Sequence, residues 1–263
     1  MFKSKKIIII ISIVIFALIL LAFAVLVFLP KIKSGNEKNN KEQANENTTI
    51  NLENEFASYF ANINYQEQSQ EIISTIYELN KSEEGKYEVD VHFPKINLDS
   101  AKEINDEIIN VFGAKLLDVV QKQKEFTTYN VNYVFFVNNG IVSVVIKCTL
   151  KEGDLPQRIM IKTYNYDLVS EKIVSLKDLL EGKNIELEKA QQEIYSTIKA
   201  NNQNTETLAN QGYNVYVRNL ESEEYKIDNI DNYFLDKNGE LIIIFPYGNK
   251  NFTGTMDLIK LNK

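Results

Sequence analysis

The sequence predicts an α+β fold: a mixed or antiparallel β-sheet domain covered by two amphipathic helices, tied through a flexible linker to an N-terminal transmembrane helix. Three observations predict it. Ile7 to Leu29 runs twenty-three residues without a charge, Gly or Pro. Apolar and polar residues alternate with strand period on either side of turn signals such as Asn139-Gly140. Two segments, opening near Ala101 and Ile185, repeat apolar residues every three or four positions.

At 1.5 Å per residue the apolar run would make a helix about 35 Å long, against roughly 30 Å of bilayer hydrocarbon. Ala22-Phe23-Ala24 has the form of a signal-peptide cleavage site, but Val25 to Leu29 continue apolar beyond it, so an uncleaved signal anchor is expected. Lys3, Lys5 and Lys6 outweigh Lys31 and Lys33 and favour a cytoplasmic Met1 to Lys6. The expected location is therefore the cell membrane, single-pass, with the C-terminal domain extracellular. Residues 30 to 49, including the polar, Asn-rich Ser34 to Thr49, read as the linker. Ile50 to Asn62 carries loosely helical apolar spacing.

The folded domain is expected over 50–263, with its core over about 71–261 and a division into two subdomains near 150–157. Ile72 to Asn80 and Lys86 to Phe93 flank a Ser-Glu-Glu-Gly turn and read as a hairpin, with Pro94 ending the second strand. Ser100 to Glu103 has the form of a capping box. It opens a helix whose stripe is Ala101, Ile104, Ile108, Val111, Phe112, Leu116, Val119 and Val120. Gly113 is tolerated inside it at a cost of about 1 kcal/mol. Tyr129 to Val137 and Ile141 to Leu150 flank Asn139-Gly140, a type I′ signal. Strands follow at Arg158 to Tyr166 and Glu171 to Val174, then a short helix at Leu176 to Leu180 and a longer one at Ile185 to Lys199. Asn201 to Asn232 is polar and interrupted, with a short strand expected at Tyr213 to Val217. Strands at Tyr233 to Leu235, Glu240 to Phe245 and Thr255 to Leu261 close the chain.

Composition narrows the chemistry. Setting aside Lys3, Lys5 and Lys6 leaves 26 basic against 36 acidic side chains, a net charge near −10. That excludes a nucleic-acid partner and favours a cationic one. Cys148, the single cysteine, lies in the apolar run Ile141 to Leu150 and reads as a small buried hydrophobe. His92, the single histidine, falls on the polar face of its strand and reads as a solvated residue; beside Asp90 alone it makes no metal site. The Asp236-Lys237-Asn238-Gly239 turn starts like a calcium loop, but Tyr247 stands at the twelfth position, so it reads as a hairpin turn. No catalytic residue, metal ligand or cofactor is assigned. Heavy use of Ile, Asn and Lys suggests an AT-rich bacterial genome.

The order of elements, with Tyr164-Asn165-Tyr166-Asp167-Leu168, Ser175-Leu176-Lys177-Asp178-Leu179 and Phe245-Pro246-Tyr247, resembles the extracytoplasmic domain shared by lysozyme-sensing anti-sigma factors and the N-terminal region of some peptidoglycan deacetylases of Gram-positive bacteria. The resemblance covers about Glu71 to Leu261. It departs from the family pattern at Lys151 to Gln157 and at Gly248 to Phe252. Met1 to Lys6 is expected to be too short for a sigma-binding segment, and one histidine cannot furnish the deacetylase metal site. The resemblance implies a non-enzymatic binding or sensing domain at the cell envelope, its ligand a cationic lysozyme-like protein or the cell-wall glycan. The residues expected to meet that ligand are Tyr213, Tyr216, Tyr247, Asn249 and Phe252, as aromatics and neighbours in or beside loops. Two other readings stay open: an envelope hydrolase using a carboxylate pair on cell-wall glycan, and a structural accessory subunit of a membrane complex.

Overall fold

The computed structural model describes residues 52–61, 63–65, 71–248 and 254–261. The anchor expected at 7–29 and the linker at 30–49 lie outside the described residues. Two compact units are distinguished, Met1–Glu55 and Phe56–Lys263. Of the first, only 52–55 are described, in the opening turn of helix α1 (52–59).

The second unit is α+β, as the sequence predicts. Six strands form one mixed sheet in the order β1 (Ile73–Glu83), β2 (Tyr87–Ile96), β3 (Thr127–Asn138), β4 (Ile141–Glu152), β5 (Arg158–Asp167) and β6 (Lys172–Ile173). Every neighbouring pair is antiparallel except β2 and β3, which run parallel from Tyr87↔Thr127 to Val91↔Val131. Parallel neighbours need a crossover. Helix α2 supplies it, as Lys102–Ile108, a π turn at Ile109–Gly113, and Ala114–Lys122. The β3–β4 turn has φ 49° at Asn139 and 83° at Gly140, the two positive angles of a type I′ turn.

Helix α2 covers one face of this sheet. Its Ile104, Ile108, Phe112, Leu116 and Val119 are buried against Val89, Val91, Phe93, Tyr129, Val131, Val144, Ile146 and Cys148. The first four are four residues apart, a spacing that carries each step about 40° around an unbroken α-helix. The π turn absorbs that drift and keeps Phe112 on the sheet, while Val111, expected on the stripe, is 50% exposed. Within this disturbed turn the Phe112 carbonyl accepts a bond from the Tyr129 hydroxyl (3.0 Å).

Three details differ from expectation. The Ser100–Glu103 capping box is not formed; a 3-10 turn, Asp99–Ala101, leads into α2 with no side-chain cap. Pro94 does not end β2, which continues to Ile96. Past Val91 the strand has β1 as its only strand partner among the described residues, and Pro94 sits opposite the register shift between Thr75 and Tyr77, where a missing N–H is tolerated. The strand's end is held instead by buried Asn105 of α2, which accepts from Ile96 N and donates to Ile96 O, both at 2.9 Å.

The remaining elements build a second core. Helix α3 (Leu176–Gly182) starts with a true capping box between Ser175 and Asp178. Helix α4 (Leu187–Asn210) lies on a three-stranded antiparallel sheet of β7 (Tyr233–Leu235), β8 (Leu241–Pro246) and β9 (Met256–Leu261). Leu179, Leu180, Ala190, Ile194 and Ile198 pack against Leu241, Ile243, Phe245, Ile259 and Leu261. Ile242 and Ile244, of opposite parity, are also buried, which accounts for the unbroken apolar run of β8. The free edge of β7 rests on side chains of β4 and β5: Leu235 N donates to Ser143 Oγ, Tyr233 N to Thr163 Oγ1, and Asn165 Nδ2 to Tyr233 O. An edge strand is thereby covered. The loop at 150–157 joins β4 to β5 within one sheet, and the passage from the first apolar cluster to the second falls between Tyr166 and Val174.

Candidate binding site

The polar stretch from Asn201 onward holds the surprise of the fold. Helix α4 does not stop near Lys199 but runs to Asn210, and no strand forms at Tyr213 to Val217. Residues 211–222 instead make an extended strap that doubles back along α4, followed by 3-10 turns at Glu223–Tyr225 and Ile227–Asn229. Two amide side chains of α4 fasten it. Asn202 accepts from Arg218 N (2.7 Å), and Gln191 both donates to Tyr225 O (2.9 Å) and accepts from Ile227 N (3.0 Å).

Beneath the strap lies a buried ion pair. Arg218, 8% exposed, donates from Nε and Nη2 to the two oxygens of Asp257, 2% exposed, at 2.6 and 2.7 Å. Arg218 Nη1 reaches Thr205 Oγ1 (2.7 Å), Asn201 Nδ2 donates to Asp257 Oδ1 (2.9 Å), and the Tyr247 hydroxyl donates to Asp257 Oδ2 (2.6 Å). Tyr225 and Tyr247 hydroxyls meet at 3.1 Å. Burial disfavours the Arg218 charge, but the fork-to-carboxylate pair with Asp257 outweighs it and raises the guanidinium's pKa. Burial, reinforced by the Asp257 charge, likewise pushes the Tyr247 phenol far up, so it stays a hydrogen-bond donor. Each charge is paired and bonded, the condition under which a buried ion pair holds a structure together.

This arrangement sorts the expected ligand residues. Tyr247 is 2% exposed and belongs to the network, not to the surface. It is seated there because Gly248, next in the chain, lies against the β5 backbone, where an added Cβ would stand 2.2 Å from Ile159 O. Tyr216 is half-buried and stacks on Tyr247 with ring centroids 4.3 Å apart. Tyr213 is 61% exposed at the turn from α4 into the strap, beside exposed Leu208 (41%), and Val217 (44%) is exposed farther along the strap. The Tyr213 amide bonds to the Leu208 carbonyl (3.1 Å), which fixes the turn. Asn249 and Phe252 lie outside the described residues. Arg218 and Asp257 escaped the sequence reading, although Arg218 is one of only two arginines and Asp257 interrupts an apolar strand, Met256–Leu261.

Three other features bear on chemistry. Between α2 and β5–β6 a cleft of about 130 Å³ is lined by Glu103, Glu107, Lys162, Tyr164 and Tyr233; Lys162 Nζ stands 3.4 Å from Glu107. Cys148 is wholly buried, and burial pushes its thiol up to about 12. The Asp236 carboxylate is occupied by its own turn, accepting from the amides of Asn238 and Glu240.

No protein-family model matches the chain, and no curated protein matches it. Among solved structures, it is similar to a DUF3298 family protein from Pseudomonas aeruginosa PAO1, at 13% identity and a TM-score of 0.44, covering 72% of this chain and 87% of that one. It is also similar to a member of the same family from Bacteroides fragilis, at 13% identity and a TM-score of 0.36, covering 72% and 89%.

Proposed function

We propose that this chain is a non-catalytic binding or sensing domain held at the outer face of a bacterial cell membrane by the segment at 7–29. Its ligand is a cationic lysozyme-like protein or the cell-wall glycan. The observation that carries this reading is Tyr213, an exposed aromatic beside exposed Leu208 where α4 enters a strap pinned by Arg218 and Asp257. Interfaces draw their affinity from such anchors when the backbone beneath them is already ordered. The acidic balance of the chain favours a cationic partner. The short motifs that resemble those of lysozyme-sensing anti-sigma factors and peptidoglycan deacetylases point the same way.

The test is calorimetric titration of the full chain in nanodiscs with lysozyme and with soluble peptidoglycan fragments, at low and moderate salt. Binding to lysozyme that weakens with salt supports a protein ligand; salt-insensitive binding to the fragments supports the glycan. Binding to neither contradicts the proposal. A second reading, an envelope hydrolase, draws on the cleft holding Glu103 and Glu107. Release of reducing sugar from cell walls, lost in both Glu103→Gln and Glu107→Gln, would establish it. Those two residues are four apart on one helix and so stand side by side, whereas glycoside hydrolysis places its carboxylates on either side of the scissile bond.

A further inference from the structure

Tyr65 occupies a notch that the topology creates. Because the parallel pairing of β2 and β3 ends at Val91↔Val131, the amide of Tyr133 has no strand partner on that side among the described residues. The Tyr65 hydroxyl takes it (3.2 Å) and donates in turn to Asn132 Oδ1 (3.0 Å). The Tyr65 ring lies flat on His92, centroids 4.3 Å apart and planes 19° from parallel, and leans on Tyr133 at 4.8 Å. His92 is thus no solvated strand residue: its side chain is 21% exposed, and its buried Nδ1 has no hydrogen-bond partner among the described residues. Asp90 Oδ1, two residues back on the same face, is 3.9 Å away, just beyond bonding distance.

We propose that the Tyr65–His92 stack is a proton-operated fastening that grips Tyr65 more tightly when His92 is charged. The groups facing the imidazole on the described elements set the sign. Asp90 lies beside it on β2, Glu78 lies directly opposite on β1, and the π face of Tyr65 covers it. Tyr133 and Asn132 of β3 are neutral, and the one nearby cation of β4, Lys147, sits over the Phe60 ring instead, at 5.3 Å. A proton on His92 gives Nδ1 a hydrogen to donate to Asp90, gains attraction from both carboxylates, and turns the stack into a cation–π contact. The neutral ring gains neither the charge attraction nor the cation–π contact. The contact that holds Tyr65 therefore strengthens when His92 takes up a proton.

The Tyr133 amide reports the fastening directly, since its bond runs to Tyr65. In the full chain in detergent micelles, its hydrogen-exchange protection, corrected for the intrinsic pH dependence of exchange, is expected to rise on the order of five- to tenfold from pH 7.5 to 5.5. In His92→Gln it should not change. Equal protection at both pH values in the native protein, or a rise that survives in His92→Gln, overturns the proposal. Should His92→Gln lose its fold by circular dichroism, Asp90→Asn decides: a smaller rise supports the fastening, and an undiminished one contradicts it.

Discussion

In the first core, helix α2 meets its sheet through five apolar side chains and a single buried amide, Asn105. In the second, α4 begins the same way with Ala190, Ile194 and Ile198, then changes character. From Asn201 onward it meets the rest of the molecule through Asn201, Asn202 and Thr205, which engage Arg218 and Asp257. Apolar packing tolerates sliding among near-equivalent arrangements. A bidentate guanidinium–carboxylate pair with further hydrogen bonds has one geometry. The second region thereby fixes a segment that has no periodicity of its own, and it does so under the surface proposed to bind.

The largest effect should come from splitting that pair. Arg218→Met leaves Asp257 buried and uncompensated and is expected to lower stability by about 3–5 kcal/mol in urea unfolding, whereas Arg218→Met combined with Asp257→Leu should recover most of the loss. A single variant that unfolds like the native protein would erase the contrast between the cores. Next, Ile108→Ala in the first core should cost about 2–5 kcal/mol through its cavity alone, and adding it to Arg218→Met should give nearly the sum of the two losses. Asn105→Ala strands two backbone groups of Ile96 and is expected to cost about 1–3 kcal/mol. Slow exchange retained at the Ile96 amide in that variant would show that the clamp is dispensable.

The smallest effect concerns the junction between the cores. Ser175→Ala removes the cap of α3 and should cost about 1 kcal/mol. Its partner Asp178 has a depressed pKa because it accepts bonds from the Ser175 hydroxyl and amide. Asp167 is depressed chiefly by the amide of Val169, then by the Ser170 hydroxyl and amide. For a carboxylate lowered on folding, the stabilisation is complete above its unfolded pKa, about 3.9, and is lost as pH falls through the folded value. Both should therefore titrate below pH 3.9 by carbon-detected NMR, and Ser175→Ala should move Asp178 upward while leaving Asp167 unchanged.

The same contrast explains what the sequence discloses. Strands β2 to β5 and the stripe of α2 were legible because each residue's burial follows from its neighbours at a fixed period. Val111 misled only because a π turn alters that period locally. The strap was not legible, since Asn202 and Gln191 bind residues 16 and 34 to 36 positions away, spacings that no local pattern encodes. Of the proposed site, Tyr213 was readable as an exposed loop aromatic. Tyr247 looked identical in kind and is buried, because the Asp257 that receives its hydroxyl lies on another strand. One of only two arginines in a lysine-rich chain and an aspartate in an apolar strand were the signals that could have exposed the pairing.

The most direct test of the proposed surface compares the native chain with Tyr213→Ala by calorimetry against lysozyme and soluble peptidoglycan fragments. One of the two ligands is expected to bind the native chain, and Tyr213→Ala should weaken that binding at least about tenfold with an unchanged melting temperature. Equal affinity in the two proteins, or no binding by the native chain, contradicts the account.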